Sequence, residues 1–302
     1  MDFETGRVKI PKIGWVKAKL HRRFEGKIKT CTVKRNPCGH YTISVLVETP
    51  ETLPATKPIK ATTTRGYDLG LSHFLITDEG EKIANPRFLL HSLERLGIEQ
   101  KKLARKKAGS NNWSQQRLAV ARRHQIVANQ RHHFLHEQSS KLLSDSQVET
   151  VALEDLHIKG MIRNRRLARH IADVAWGRFV EFVEYKAQWR GKHVIRCSRW
   201  APSSKTCHCG YVNQGLSLAE RQWICPVCHT QHDRDVLAAQ NNKQFALVDA
   251  LGMKESSDSG VCVKSSPSSS PVHAGDDAKD AATNTAWVAR SSRQNIDDVW
   301  RE

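Results

Sequence analysis

Tyr67-Asp68-Leu69-Gly70-Leu71-Ser72-His73-Phe74-Leu75-Ile76-Thr77 offers two short strands around Gly70, and the Asp78-Glu79-Gly80 that follows makes a hairpin turn. The stretch sets one carboxylate, Asp68, inside strand-like sequence, with Gly66 and Gly70 on either side leaving room for other chemistry to approach the backbone. A second apolar strand, Val148 to Leu153, ends in Glu154-Asp155, and Asp233 and Asp235 open a helix that runs to Leu251. Carboxylates at strand ends and at a helix start can converge on one point although they lie far apart along the chain. Two divalent cations ~3.5–4 Å apart, held by such acids, activate water and stabilise the leaving oxygen in phosphodiester cleavage. Oxygen ligands of this kind suit Mg²⁺ or Mn²⁺. Each acid also has an ordinary role as a surface charge or, at a helix start, as an N-cap.

The charge balance points the same way. The 302 residues carry 48 Lys+Arg against 31 Asp+Glu, a net charge of +17, and the isoelectric point is near 9.7. Residues 1–245 hold 42 basic and 22 acidic side chains, +20, whereas the remainder holds 6 and 9, −3. A field of that size attracts phosphate backbones and favours fast, salt-sensitive association. A hydrophobic content of 39% and a mean hydropathy of −0.56 argue against a membrane protein, and no run approaches the ~18 apolar residues a span needs. Met1 to Ile10 lacks the apolar core of a signal peptide. Eight cysteines are too sparse for a disulfide scaffold. The expectation is a cytoplasmic, polyanion-binding protein.

Around the central strands the chain divides by composition. Residues 1–50 alternate apolar and polar at 8–10, 28–33 and 41–47, with turns at Asn36-Pro37 and Cys38-Gly39, and read as strands. The Pro/Thr-rich segment 51–64 reads as a linker. Residues 87–141 read as two long helices joined by Gly109-Ser110-Asn111-Asn112, with 12 basic and 3 acidic side chains. Lys101, Lys102, Arg105, Lys106, Lys107, Arg122 and Arg123 are the candidate nucleic-acid contacts, with the first five covering more than one helical face. Apolar residues spaced by three and four from Leu167 to Val183 predict one helix closed by Gly191, and Val194-Ile195 a further strand. The Ser/Pro/Asp-rich residues 252–302 are expected to be disordered.

Cys207-His208-Cys209 and Cys225-Pro226-Val227-Cys228 form a second constellation. Two cysteine pairs separated by 15 residues resemble a zinc ribbon, in which four thiolates hold one Zn²⁺ tetrahedrally. The second pair has the usual two-residue gap and the first is one residue short, which makes His208, His229 and His232 substitute candidates. Cys31, Cys38, Cys197 and Cys262 are isolated and read as structural or incidental.

In this order, Ile10-Pro11-Lys12-Ile13-Gly14-Trp15-Val16-Lys17, Tyr67-Asp68-Leu69-Gly70-Leu71, Glu154-Asp155-Leu156, Gly160-Met161, Arg199-Trp200-Ala201-Pro202-Ser203-Ser204-Lys205-Thr206-Cys207 and His232-Asp233-Arg234-Asp235 resemble the TnpB (OrfB-type) proteins of insertion sequences over about residues 7–250. These are relatives of the type V CRISPR effectors. The resemblance implies an α/β chain with a RuvC-like (RNase H-type) nuclease domain at 65–202 and 233–251, a zinc-ribbon insertion at 203–232 and a partial N-terminal β-barrel module at 1–55. By that analogy Asp68, Glu154 and Asp235 are the metal-binding catalytic acids, with Asp68 bridging two Mg²⁺ or Mn²⁺ ions and Asp233 as the alternative third acid. Cys207, Cys209, Cys225 and Cys228 would hold Zn²⁺. The partners implied are DNA, an RNA derived from the element's end and a separate transposase of the same element, in a bacterial or archaeal cytoplasm with no membrane attachment.

Departures from the family pattern set further expectations. Only 67 residues precede Asp68, so the chain reads as N-terminally truncated. Leu237 stands where the family commonly has Asn, and His229 where a Gly usually ends the second cysteine knuckle. Two functions follow, an RNA-guided, metal-dependent DNA endonuclease or a catalytically inactive nucleic-acid-binding remnant acting as a repressor or RNA binder.

Overall fold

The computed structural model describes residues 1–217 and 219–252, in two units that divide after Thr52. The expected disordered tail and Cys262 lie outside the described residues, apart from Gly252. In the first unit, β1 (Arg7–Ile10) pairs with β2 (Gly14–Lys17) and β3 (Lys27–Arg35) with β4 (Tyr41–Glu48), both antiparallel. The turn joining the second pair closes with Gly39 at φ +84°, where glycine has no Cβ to clash.

The second unit is a mixed α/β fold around a five-stranded sheet ordered β7-β6-β5-β8-β9. Its strands are β5 (Thr64–Asp68), β6 (His73–Thr77), β7 (Lys82–Ala84), β8 (Thr150–Glu154) and β9 (His193–Cys197). The first three form an antiparallel meander, and β8 and β9 then add in parallel to β5. β8 reads as an uninterrupted apolar run because helices cover both of its faces.

Side chains alternate across the sheet. Tyr67, Leu69, Val151 and Leu153 pack into the main core with Phe179 and Val183 of α5 (Trp176–Trp189) and Leu135 and Leu142 of α2 (Asn111–Ser144). Phe74 meets Phe134 and Phe179 edge-on, each at 4.9 Å between ring centroids. On the opposite face lies α6 (Arg234–Leu251), which contacts β5, β6, β8 and β9. It comes so close that a Cβ built on Gly66 would stand 2.1 Å from the Ala239 carbonyl oxygen. Only glycine fits there.

The predicted basic hairpin forms as α1 (Phe88–Ala104) and α2, with Ser110 capping α2 by accepting from the Trp113 amide at 3.1 Å. α1 ends earlier than its charge run, however. Arg105 is its C-cap and Lys106-Lys107 lie in the turn, so the five basic residues span a helix end rather than a helix face.

Two further expectations are corrected. The helix predicted from 167 to 191 is two helices, α4 (Ala168–Val174) and α5, because Ala175 adopts a left-handed conformation at φ +55°. Buried Asp173 anchors α4, accepting from the Leu89 amide at 3.1 Å and from Arg131 at 2.8 Å. Trp176 is buried at the start of α5, so apolar spacing continues through a break that no Gly or Pro announces. The second half of the 51–64 linker is tied down, with Lys57 paired to Glu149 at 2.5 Å and its carbonyl oxygen 2.7 Å from His193 Nε2. Among the described residues no helix is long and apolar enough to cross a membrane.

Candidate functional site

The last registered pair between β5 and β8 is Gly66 with Ala152, and Asp68 and Glu154 each lie two residues further on. The two carboxylates therefore stand level at the carboxyl ends of neighbouring parallel strands. They share strand parity with Gly66 and Ala152, the small residues that admit α6. Asp235 sits in the first turn of that helix.

All three carboxylates are partly buried. Burial, with the negative charges of Glu154 and Asp235, pushes the Asp68 carboxyl up to about 7. Burial, with the neighbouring Asp155, likewise raises Glu154. Like charges partly withdrawn from water favour a cation between them, and hard carboxylate oxygens suit Mg²⁺ or Mn²⁺. Arg221 approaches Asp235 at 3.1 Å. Asp233 is differently employed: its carboxylate accepts from the Asp235 and Val236 amides at 3.1 and 3.2 Å and pairs with Lys82 at 2.6 Å. It is the N-cap of α6, whereas Asp235 lies in the first turn of the helix.

The structure also brings the four cysteines together, with all four sulfurs within 4.8 Å of one another. Cys207 and Cys228 are 3.5 Å apart and Cys209 and Cys225 3.6 Å. Those distances are far beyond the ~2.05 Å of a disulfide. They approach the edge of about 3.8 Å of a tetrahedron built on ~2.3 Å Zn–S bonds. The shortened first pair reaches the cluster through a turn in which Gly210 takes φ +89° and donates its amide to the Cys207 carbonyl at 2.9 Å. His232 Nε2 lies 3.0 Å from Cys207 Sγ, close to the cluster without replacing a cysteine, while His208 turns away to Gln240 at 3.1 Å. β10 (Gln222–Ile224) and β11 (Gln231–Asp233) form the hairpin that carries the second pair and leads directly into α6.

His229 adopts φ +58° at the position where the family pattern has glycine. A left-handed conformation costs an L-residue about 1–2 kcal/mol, and glycine's larger unfolded-state entropy returns roughly 0.5–1 kcal/mol of that. His229→Gly is therefore expected to stabilise the chain by up to about 1 kcal/mol, read as a higher melting midpoint. An unchanged or lower midpoint would show that the His229 side chain contributes contacts that offset the strain. Leu237, the other departure, is 1% exposed and packs with Cys207, Leu216, Trp223 and Cys225. The apolar residue joins α6 to the cysteine-bearing segment.

Four consecutive residues of α6 escaped the sequence reading. Gln240 donates to the Asp78 carbonyl at 3.1 Å, Asn241 to the Ser203 and Thr206 carbonyls at 2.6 and 2.7 Å, Asn242 to the Tyr67 carbonyl at 3.1 Å, and Lys243 pairs with Asp78 at 3.2 Å. Asn241 and Asn242 are buried. Such residues fix the helix to the end of β5 and to the loop that leads into Cys207. Their signal was two polar residues on the apolar side of an otherwise periodic helix. Of the proposed nucleic-acid contacts, Lys101, Lys102, Arg105, Lys107, Arg122 and Arg123 are exposed and Lys106 is half-buried. Lys102 is paired with Glu99 at 3.1 Å.

Comparison with known proteins identifies two family models. Residues 42–165 match OrfB_IS605, "Probable transposase", and residues 176–242 match "Cas12f1-like, TNB domain". A "Putative RNA-guided DNA endonuclease" of Streptomyces pristinaespiralis is 39% identical over 214 residues, which cover 70% of this chain and 51% of that protein. The "Putative RNA-guided DNA endonuclease InsQ" of Escherichia coli (strain K12) is 27% identical over 256 residues, 80% of this chain and 62% of the relative. The chain thus spans about half to three-fifths of the length of these curated relatives. A cryo-EM structure of a Cas12f1–sgRNA–target DNA complex matches with a TM-score of 0.48 and 16% identity, over 70% of this chain and 44% of that one.

Proposed function

Because the chain belongs to the TnpB (OrfB-type) family, we propose that it is an RNA-guided DNA endonuclease of a mobile element, hydrolysing phosphodiester bonds in a RuvC-like (RNase H-type) domain. The observation that carries the reading is the convergence of Asp68, Glu154 and Asp235 from two adjacent parallel strands and the helix laid across them. Divalent ions, when bound there, supply Lewis-acid activation of water and neutralise charge on the phosphate. The chain's own contribution is to hold the three carboxylates in place. Strand pairing sets Asp68 and Glu154 level, and the capped start of α6 with its buried asparagines sets Asp235. No covalent intermediate with the protein is called for. Asp233 serves the site by capping the helix.

In this reading residues 1–55 form part of a β-barrel module, residues 65–202 with 233–251 the nuclease domain, and residues 203–232 a zinc ribbon whose ligands are the four clustered cysteines. The exposed basic residues of α1, α2 and the turn between them bind the nucleic-acid backbone. DNA and an RNA from the element's end are the partners, in the cytoplasm beside the nucleoid, with a separate transposase of the same element completing transposition.

The test is plasmid cleavage by the chain co-purified with RNA from its own element's end, on a matching target, with Mg²⁺ or EDTA. Cleavage that needs Mg²⁺ and a matched guide is the expected result. Retained RNA or DNA binding without cleavage would replace this reading with that of a binding-only protein.

A further inference from the structure

The four clustered cysteines do not share one environment. Cys209 and Cys228 reach water, whereas Cys207 is 2% exposed and Cys225 is fully buried. Thiolates around one Zn²⁺ leave the cluster negative, and negative charge taken out of water needs donors within the fold. Cys228 has them in Thr230, whose hydroxyl lies 3.3 Å from its sulfur and whose amide also reaches it. Cys207 sits instead in an apolar pack with Leu216, Trp223 and Leu237. There it accepts from the Cys209 amide and meets the His232 imidazole, with Nε2 3.0 Å from Sγ.

His232 is held for that contact. It is buried, it is registered opposite Trp223 across the β10–β11 hairpin, and the two rings lie 4.8 Å apart between centroids. Strand alternation turns it to the face opposite Gln231 and Asp233. A coordinated thiolate has lone pairs and no proton, so the proton between the two atoms belongs to Nε2. A hydrogen bond of that kind orients a metal ligand and tempers its charge without taking a coordination position. The next residue is Asp233, whose carboxylate caps α6 through the Asp235 and Val236 amides. Residues 232–235 thus join the cysteine cluster to the start of the helix that carries Asp235.

We propose that His232 is a positioning residue that donates Nε2–H to the zinc-bound Cys207 thiolate and, through Asp233, makes the order of the start of α6 depend on the metal. The inference rests on the zinc-ribbon reading for the presence of the ion, and it does not need the nuclease reading. It gives the histidine a part other than that of a substitute ligand. The imidazole completes the surroundings of a sulfur that water cannot reach, and all four coordination positions stay with the cysteines.

The test uses the full chain loaded with Zn²⁺, or with Co²⁺ as a spectroscopic reporter of the ligands. His232→Met keeps the reach of the side chain and donates nothing, whereas His232→Gln restores an N–H. His232→Met is expected to hold zinc about 10–100-fold less tightly against a competing chelator. While still zinc-loaded it should also exchange the Asp235 and Val236 amides faster, with His232→Gln near wild type in both. Trp223→Phe, which disturbs packing on the ring and spares the donor, should weaken zinc binding less than His232→Met. The cobalt charge-transfer intensity should be that of four thiolates in the wild type and in His232→Met, and of three in Cys209→Ser. Wild-type zinc retention or wild-type amide exchange in His232→Met would overturn the proposal. So would a wild-type cobalt spectrum in Cys209→Ser, which would make His232 a ligand. If His232→Met does not fold, His232→Gln decides, because zinc loss from a variant that keeps the donor overturns the proposal and retention supports it. A wild-type chain that takes up neither metal would remove the ribbon reading and the proposal together, whereas failure of the histidine variants alone would leave the ribbon standing.

Discussion

Replacing Asp68 with alanine is expected to lower Mg²⁺-dependent cleavage by at least about 10³-fold while changing nucleic-acid affinity by less than about two-fold. Metal-assisted charge stabilisation supplies several kcal/mol of such a barrier, and each 1.36 kcal/mol is a factor of ten. Asp68 lies at the end of the central strand, where the fields of Glu154 and Asp235 both reach it. Its loss removes the carboxylate common to both pairs. The basic residues of α1 and α2 belong to other elements and are untouched by the change. Removing a buried acid with a raised carboxyl also relieves repulsion, so the variant should melt no lower than the wild type without metal. Gel-resolved plasmid cleavage and a binding titration on one preparation check both halves. Equal cleavage by the variant would sink the assignment of the acids.

The second large effect concerns the cysteine cluster. Cys225 is fully buried, and Cys225→Ser is expected to reduce bound zinc from about one ion per chain to about none. Structural zinc sites contribute about 10–16 kcal/mol of apparent binding free energy in small fingers. Here even part of that would be lost to the fold of residues 203–232. The damage should travel. Arg221 approaches Asp235, His208 meets Gln240, and Asn241 holds the loop before Cys207. Collapse of residues 203–232 should thus free the start of α6, and on the nuclease reading cleavage is expected to fall with it. Cys31→Ser, at an exposed and isolated cysteine, is the control and should change neither zinc nor melting. Metal analysis and a melting curve decide. A wild-type chain without zinc, melting like the variant, would mean four free thiols.

Much of this arrangement was legible in the sequence where chemistry is local. The strand pair around Gly70, the apolar strand ending at Glu154 and the helix opened at Asp233 all form close to where periodicity and turn residues put them. The left-handed His229 was legible too, because a knuckle needs that conformation whatever residue occupies it. What stayed hidden depends on contacts between distant segments. Ala175 breaks a periodic helix with a residue that usually favours one, since α4 is anchored through Asp173 while Trp176 belongs to the main core. Resemblance alone favoured Asp235 over Asp233, and hydrogen bonding then separated the helix cap, Asp233, from Asp235, whose carboxylate meets Arg221. The end of α1 before Lys106 had no Gly or Pro to mark it.

Gly66 has a meaning for the history of the gene. Any coding change at that position adds at least a methyl group, and the nearest obstacle is the backbone of α6 rather than a side chain that can swing aside. The helix would have to lift, carrying Asp235 away from the two strand-borne acids. If the gene belongs to a mobile element whose copies accumulate substitutions, this codon is an early tripwire. On the nuclease reading, a copy that has drifted here is silenced even with every acid and every cysteine still legible in its sequence.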